Sequence, residues 1–341
     1  MTPCVVTKMR KVPVTTGTVI GAIKTMQRKV TITIDEQAAG KTLLDLLAVR
    51  FTYHTREAWQ HLIAEGALFV NDVQTEDPQH LLCVGDVLRY AFGQRPEPSV
   101  DKQYRVLYSD EALMVVDKPG NLPCHPAGRY FKHTLWSLLQ EHEHLDQPRL
   151  VNRLDRETSG IVVVGKTLEA TRHLSHQFAT HAVEKGYLVI VEGAFPSGLE
   201  ASGWLTHDEK SVVRKKRCFV REQPKEGVSE PCETRFVCVE HCQDVSVVRA
   251  YPRTGCLHQI RATLCSLGFP VVGDKLYGVD DTFFVKFIED ALSDEDKKRL
   301  RLTRQALHAE TLQFTHPLTG ERLSFKAPPP SCLLPAAWVI Q

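Results

Sequence analysis

The run GIVVVG at residues 160–165 carries no polar side chain and no alternation. A strand of that kind is tolerated only where both of its faces are covered, so it demands a buried strand inside a sizeable domain. Directly before it, VNRLDRETS (151–159) sets Asp155 between Arg153 and Arg156, beside a Thr-Ser-Gly turn. Asp and Ser at strand ends commonly bond to nearby backbone amides. A carboxylate fixed at the mouth of a buried strand also faces whatever cleft opens there.

The 341 residues suffice for two domains, one with a substantial core. A charged fraction of 24% and a hydrophobic fraction of 43% are ordinary for a globular protein in water. No apolar run reaches the roughly 18 residues that cross a bilayer, so no membrane partner is expected. Ten cysteines without the apolar stretch of a secretory signal are expected as reduced thiols, which points to the cytoplasm. Cys232, Cys238, His241 and Cys242 are irregularly spaced within a strand-like stretch, and no metal is expected there. Residues 1–34 hold Lys8, Arg10, Lys11, Lys24, Arg28 and Lys29 and no acid, although the formal net charge is only +1. A basic tail on a mildly acidic body suits contact with nucleic acid, or simple solvation.

Residues 1–28 are read as a flexible basic tail and 29–93 as a compact module. Thr42 with Asp45 has the pattern of a capping box before the apolar-periodic run to Phe51. Thr55 caps a second helix that stops at Gly66. LFVNDV gives two short strands about an Asn-Asp turn, and VGDVLRYAF another strand. GQRPEPSVDKQ, with its two prolines, is the expected linker over about 94–103. Beyond it, 104–330 mixes short strands and helices, and 331–341 is a tail. A hairpin ends at Lys118-Pro119-Gly120, TLWSLLQEHEHL and LEATRHLSHQFATHAV are helical, and GYLVIVEG is a strand. A further hairpin turns near Gln243-Asp244, and LHQIRATLCSLG is a helix stopped by Gly268. This order argues α+β, with a mixed, mainly antiparallel central sheet, flanking helices and a cleft, rather than a repeating βαβ unit.

Five segments, in order, resemble the RluA-type pseudouridine synthases over roughly 104–330. They are ALMVVDKPGNLPCHP, NRLDRETSGIVVVGK, EKGYLVIVEG, RTGCLHQIRATLCSLGFPVVGDKLYG and LHAETLQFTHPLTGERLSFKAPPP. The module at 29–93 resembles more loosely the small RNA-binding domain named after ribosomal protein S-four. Its second helix sets Arg56 and His61 against Glu57 and Glu65, so a purely structural module is an equal alternative.

The resemblance implies an isomerase of uridine in ribosomal or transfer RNA: the bond to nitrogen breaks, the uracil turns, and a bond to carbon 5 forms. That chemistry is redox-neutral, and the chain has no dinucleotide fingerprint or Walker loop, so no cofactor is expected. Asp155 is implied as the essential carboxylate, acting as nucleophile or assisting departure of the base, with Arg261 keeping it ionised. Tyr187 is implied to stack on the uracil and to help remove the carbon-5 proton. Arg153 would fill the gap left by the extruded base, or pair with Asp155 or Glu157 on the surface. His258, three residues before Arg261, would share a helix face with it and brace the site. Arg214, Lys215, Lys216 and Arg217 are expected to hold phosphates, with Arg129 and Lys132 adding to the grip. Asn152 and Cys256 depart from the family pattern, where histidine and arginine are usual. A monomer suffices for this chemistry. A non-catalytic RNA-binding or assembly protein on the same scaffold is the alternative, although it has no need of the Asp155, Tyr187 and Arg261 trio. A glycoside hydrolase would need a second carboxylate, which Glu157 supplies poorly.

Overall fold

The computed structural model describes residues 29–51, 55–91, 97–278, 280–288 and 291–333. The expected basic tail, residues 1–28, lies outside the described residues, as do parts of the linker and of the C-terminal tail. Contacts divide the chain into two compact units. One holds the described residues up to Ser99 together with Ala127–Lys132; the other holds Val100–Pro126 and the chain from His133 onward.

The smaller unit runs β1 (Lys29–Thr33), α1 (Leu43–Arg50), α2 (Arg56–Ala64), β2 (Leu68–Val70), β3 (Val73–Thr75) and β4 (Val87–Ala91). Its antiparallel sheet has the order β1-β4-β2-β3. Thr42 Oγ1 accepts from Asp45 N at 3.1 Å, one half of the anticipated capping box; the Asp45 carboxylate instead meets Arg56 at 2.7 Å. Trp59 is fully buried, packs edge-on against Tyr90, and donates from Nε1 to Phe51 O at 3.0 Å, which anchors α2 over the sheet. In the Ala127–Lys132 segment, the amides of Phe131 and Lys132 donate to the Glu97 carboxylate, each at 2.8 Å.

The larger unit continues with β5 (Arg105–Ser109), β6 (Leu113–Lys118), α3 (Leu135–His142), β7 (Arg149–Leu150), β8 (Ser159–Gly165), α4 (Leu168–Ala179), β9 (Glu184–Glu192), β10 (Gly198–His207), β11 (Arg217–Val220), β12 (Ser229–Cys242), β13 (Val245–Pro252), α5 (Gln259–Ser266), α6 (Thr282–Ile288), α7 (Asp294–Leu300), β14 (Leu307–Thr315) and β15 (Arg322–Lys326). The sheet order is β11-β10-β12-β13-β9-β14-β8-β6-β5, with β15 on β14 and β7 on β8. Every pair is antiparallel except β14 with β8. The architecture is thus α+β with a mainly antiparallel sheet.

Strand β8 is buried along its whole length, as its unbroken apolar sequence requires. The Leu174 face of α4 packs on the same core as Ile161 and Val163. Gly160 sits at φ +115, and a Cβ there would run into the amide and carbonyl of Ala309. The parallel β8–β14 junction therefore needs glycine, and that junction brings the strand mouth at Asp155 beside β14 and β9.

Candidate active site

Asp155 occupies the turn between β7 and β8. Asn152 fixes the approach to that turn: its Oδ1 accepts from Val163 N at 2.8 Å and its Nδ2 donates to Ile161 O at 3.2 Å. The side-chain amide thereby extends the β7–β8 pairing, so the unusual residue braces the loop. After the aspartate, Thr158 N donates to Asp155 O at 3.1 Å. Gln305 Nε2 donates to Thr158 Oγ1, and Arg304 donates to Glu157 O and Ser159 Oγ. Lys118 is wholly buried, and its ammonium donates to the carbonyls of Pro119, Leu122 and Arg156. Burial pushes this ammonium down to about 8. It ties the turn after β6 to the loop that carries Asp155.

Arg261 comes from the first turn of α5. Its Nη1 donates to Asp155 Oδ2 at 2.9 Å, while Nε and Nη2 grip Asp274 at 2.6 and 2.8 Å. The Asp274 side chain has no exposed surface and also accepts from the amides of Leu276 and Tyr277. The guanidinium lies 4.9 Å from the centre of the Tyr277 ring. Burial opposes ionisation of Asp155, but the charge and hydrogen bond of Arg261, together with the neighbouring His258 and Arg153, outweigh it and hold the carboxyl below the usual aspartate value. Asp155 is therefore a carboxylate at neutral pH although it lies in a cleft wall.

His258 departs from the expected helix. Helix α5 starts at Gln259, and His258 precedes it in a left-handed conformation at φ 58. The shared-helix-face argument therefore fails, because the loop, not a helical turn, aims the imidazole. His258 Nε2 still approaches Asp155 Oδ1 at 3.7 Å, and Nδ1 meets Tyr277 Oη at 2.9 Å. Burial and the neighbouring Arg261 push the imidazole down to about 4, so it is neutral at physiological pH. A proton on Nε2 faces the carboxylate favourably, whereas the other tautomer would set a lone pair against it.

Gln259 ties the segment before α5 to β12. Its Oε1 accepts from Thr254 Oγ1 and Cys256 N, and its Nε2 donates to Glu233 O and Thr234 Oγ1. Cys256 donates its thiol to Pro231 O at 3.4 Å. Arg253, the nearest cation in sequence, is exposed and pairs with Glu233 at 3.0 Å.

Asp155, Tyr187, His258, Arg261 and Arg153 line one cavity of about 670 Å³. Tyr187 projects into it from β9, between Ala250 of β13 and Ala309 of β14. Its hydroxyl makes no hydrogen bond among the described residues, and burial followed by the Asp155 charge pushes the phenol up to about 12. Arg153 is exposed and forms no ion pair among the described residues; Arg156 is the arginine that approaches Glu157, at 3.7 Å. Such a cleft offers a fixed carboxylate, an aromatic face and a cation at its rim, a set suited to a planar, polyanionic substrate.

A family profile described as RNA pseudouridylate synthase matches residues 112–266, which include Asp155, Tyr187, His258 and Arg261. The ribosomal large subunit pseudouridine synthase D of Xanthomonas campestris is 31% identical over 307 residues, covering 88% of this chain and 89% of that protein. The chain belongs to the pseudouridine synthase family. The ribosomal large subunit pseudouridine synthase C of Haemophilus influenzae is 30% identical over 312 residues, spanning 87% of this chain and 90% of that protein. In structure, human RNA pseudouridylate synthase domain containing 1 superposes with a TM-score of 0.53 at 24% identity, over 69% of this chain and 90% of that one. As a pseudouridine synthase, the protein is an isomerase of uridine in RNA.

The basic run of this synthase separates into two pairs. Lys216 is turned inward, 3.0 Å from Asp281 and 3.5 Å from Asp208, and Arg217 stands 3.7 Å from Glu230. Arg214 and Lys215 are exposed, and Lys215 rests over the Phe284 ring at 4.6 Å. Asp274, Tyr277, Gln259 and Lys118 are the site residues that sequence reasoning did not single out. The first two stand within the quoted GDKLYG segment, but nothing local marks Asp274 as the partner of an arginine thirteen positions earlier. Among the described residues, no group of three or more His, Cys, Asp or Glu is gathered around a metal position, and no helix is long and apolar enough to cross a membrane.

Proposed function

We propose that this pseudouridine synthase modifies ribosomal RNA of the large subunit, with transfer RNA as the competing substrate class, and that Asp155 is its essential carboxylate. One observation carries the reading: at the cavity wall, Arg261 is locked to the buried Asp274 and holds Asp155 ionised next to the Tyr187 ring. The names of the relatives, both large-subunit synthases, support the RNA class.

In this reading the target uridine leaves its stack at a cost of a few kcal/mol, and Arg153, exposed at the rim and without an ion pair among the described residues, fills the gap. Asp155 acts on the sugar as nucleophile or assists departure of the base. The bond from carbon 1′ to nitrogen 1 breaks, the ring turns over Tyr187, carbon 5 bonds to carbon 1′, and the carbon-5 proton is lost while nitrogen 1 regains one. Tyr187 keeps its own proton at neutral pH, because its phenol is pushed up to about 12; stacking is thus its stronger role. His258 braces the carboxylate in its neutral form. The isomerisation consumes no donor, which supports an enzyme that works without a cofactor or metal; the reading is completed by a monomer, which suffices for the chemistry, in the cytoplasm, where free thiols stay reduced.

Arg214 and Lys215 hold RNA phosphates. The smaller unit, in which β1 precedes the two helices and completes the sheet of β2, β3 and β4, serves as the S-four-type RNA module. Its pairs Arg56–Asp45 and Arg89–Asp72 are internally neutralised, which leaves Lys41 and Arg50 exposed for phosphate contact.

Pseudouridines mapped in ribosomal and transfer RNA from cells with and without the gene test this reading. A missing site should return with the wild type and stay absent with Asp155→Ala. Full restoration by Asp155→Ala would remove the catalytic assignment.

A further inference from the structure

Helix α6 contributes nothing to the lining of the catalytic cavity, yet it holds two cations beside Asp155. Phe284 and Phe287 lie three positions apart and share a face of the helix. Lys215 Nζ stands 4.6 Å from the centre of the Phe284 ring, and the Arg156 guanidinium 4.4 Å from that of Phe287. Arg156 directly follows Asp155, so the neighbouring ring sets Lys215 alongside the loop that carries the carboxylate. Further contacts pin the basic loop on the same side. Asp281, just before α6, accepts from Lys216 at 3.0 Å and from Ser211 at 2.7 Å, and Arg217 N donates to Tyr277 Oη at 2.9 Å. Tyr277 in turn meets His258, which approaches Asp155. Lys215 differs from the next two cations in what it lacks. Lys216 and Arg217 face carboxylates, whereas Lys215 has neither a hydrogen bond nor an ion pair among the described residues. The residue is exposed as a whole, but the ring covers its ammonium on one side. That desolvation, then the charge of Arg261, hold the ammonium below its usual value, with Asp155 opposing and Arg156 and Arg153 adding. A cation over an aromatic face and short of counter-charge is ready for an anion, and the ring fixes its place before the anion arrives.

We infer that Phe284 is a positioning residue for the RNA: it holds Lys215 where the ammonium meets one of the two phosphates that flank the flipped uridine. The inference rests on the reading that the uridine enters beside Asp155. A phosphate contact carries no sequence information but fixes register. This one sets the extruded nucleotide over the carboxylate, because the rings of α6 place Lys215 and Arg156 side by side next to Asp155. Lys215 thus has a defined partner in the bound RNA, and α6, which never touches the substrate, decides where that partner sits.

The test uses an RNA, joined from synthetic pieces, around a uridine that the full-length enzyme modifies. A methylphosphonate, which removes the charge of one phosphate, replaces the linkage before or after that uridine, with a 2′-deoxy sugar beside it for chemical stability. Control RNAs carry the deoxy sugar and an ordinary phosphate. Affinities are read by fluorescence anisotropy for the wild type, Lys215→Met, Phe284→Leu and Phe284→Tyr, after thermal melting has shown the variants folded. The wild type should bind one of the two methylphosphonate RNAs about tenfold more weakly than its control. Lys215→Met should bind the control itself about tenfold more weakly and lose nothing further at that linkage. Phe284→Leu should weaken binding about threefold and shrink the penalty at the same linkage, and Phe284→Tyr, which keeps the ring, should restore the wild-type pattern. On unmodified RNA, Lys215→Met and Phe284→Leu should raise KM and leave kcat in place. Methylphosphonate penalties equal in the wild type and Lys215→Met at both linkages overturn the phosphate assignment. Wild-type affinity in Phe284→Leu overturns the role of the ring. An Asp155→Ala enzyme that still isomerises the unmodified RNA would instead overturn the catalytic reading, which these affinities do not measure, so the two failures are separable.

Discussion

Arg261 divides its donors between Asp155 and Asp274, and the two carboxylates should answer differently to replacement. Asp274 has no exposed surface and accepts from Arg261 and from two backbone amides. Asp274→Asn leaves a buried guanidinium short of charge and should cost about 3–5 kcal/mol in urea unfolding. Asp155→Asn removes a carboxylate that the fold holds below its ordinary value, while Arg261 keeps Asp274. Activity should fall at least about a thousandfold, and stability at neutral pH should fall too, but by less than for Asp274→Asn. An Asp155→Asn protein that loses as much stability in urea as Asp274→Asn would show that the two carboxylates anchor Arg261 equally. His258 makes a prediction about pH. Its folded value of about 4 lies below the ordinary 6.5. As pH falls through 6.5 the unfolded chain binds a proton that the folded chain refuses until about 4, so acidification across that window destabilises the fold. His258→Gln abolishes this contribution. Its stability curve should lie about 1–3 kcal/mol above a wild-type curve scaled to match at pH 7, when the two are read at pH 4. Parallel curves between pH 7 and 4 would mean that His258 titrates normally.

At the scale of elements, β8 shows what one strand can carry. Its apolar run was legible because no alternative conformation hides seven consecutive buried residues. Its glycine was legible as a turn residue only; that Gly160 admits β14 depends on a strand some 150 positions later. Gly160→Ala should cost about 2 kcal/mol or more, through both the positive φ and the contact with Ala309. The loss should appear as a lower melting temperature together with reduced activity, because the same junction sets Asp155 beside Tyr187. A stable, fully active Gly160→Ala enzyme would refute that coupling. Strands β10 and β11 and helices α6 and α7 were not foreseen. Strand β10 is rich in small and polar residues and half exposed, so it carries no clean period of two. Helices α6 and α7 are seven residues each, too short to reveal a period, and are held by Phe283 in the core and by Lys286 on Asp296. The start of α5 was misjudged by two residues, since HQIRATL reads as continuous helix until backbone geometry places His258 at positive φ.

Across the whole molecule, a sequence lists charges but not which of them already have partners. Asp155 and Arg261 stand 106 positions apart, and their meeting was expected only from the family resemblance. The run at 214–217 was legible as basic and illegible as two kinds of cation. Lys216 is mostly buried between Asp281 and Asp208, and its burial opposes, while those carboxylates support, its charge; the balance holds its ammonium above the usual value. A lysine so engaged releases no counterion when RNA arrives. Arg214 and Lys215 are exposed and are able to do so. Each phosphate neutralised lowers log affinity by about one per decade of salt. Arg214→Gln with Lys215→Gln should therefore flatten the plot of log affinity against log salt by about two, measured by fluorescence anisotropy on a transcribed ribosomal RNA fragment between low and moderate salt. Lys216→Gln should leave that slope nearly unchanged and lower the melting temperature instead, because Asp281 loses its cation. If Lys216→Gln flattened the slope as much as the double variant, the ion pairs that hold Lys216 inward would have to open on RNA, and the division of the loop into anchoring and binding cations would fall.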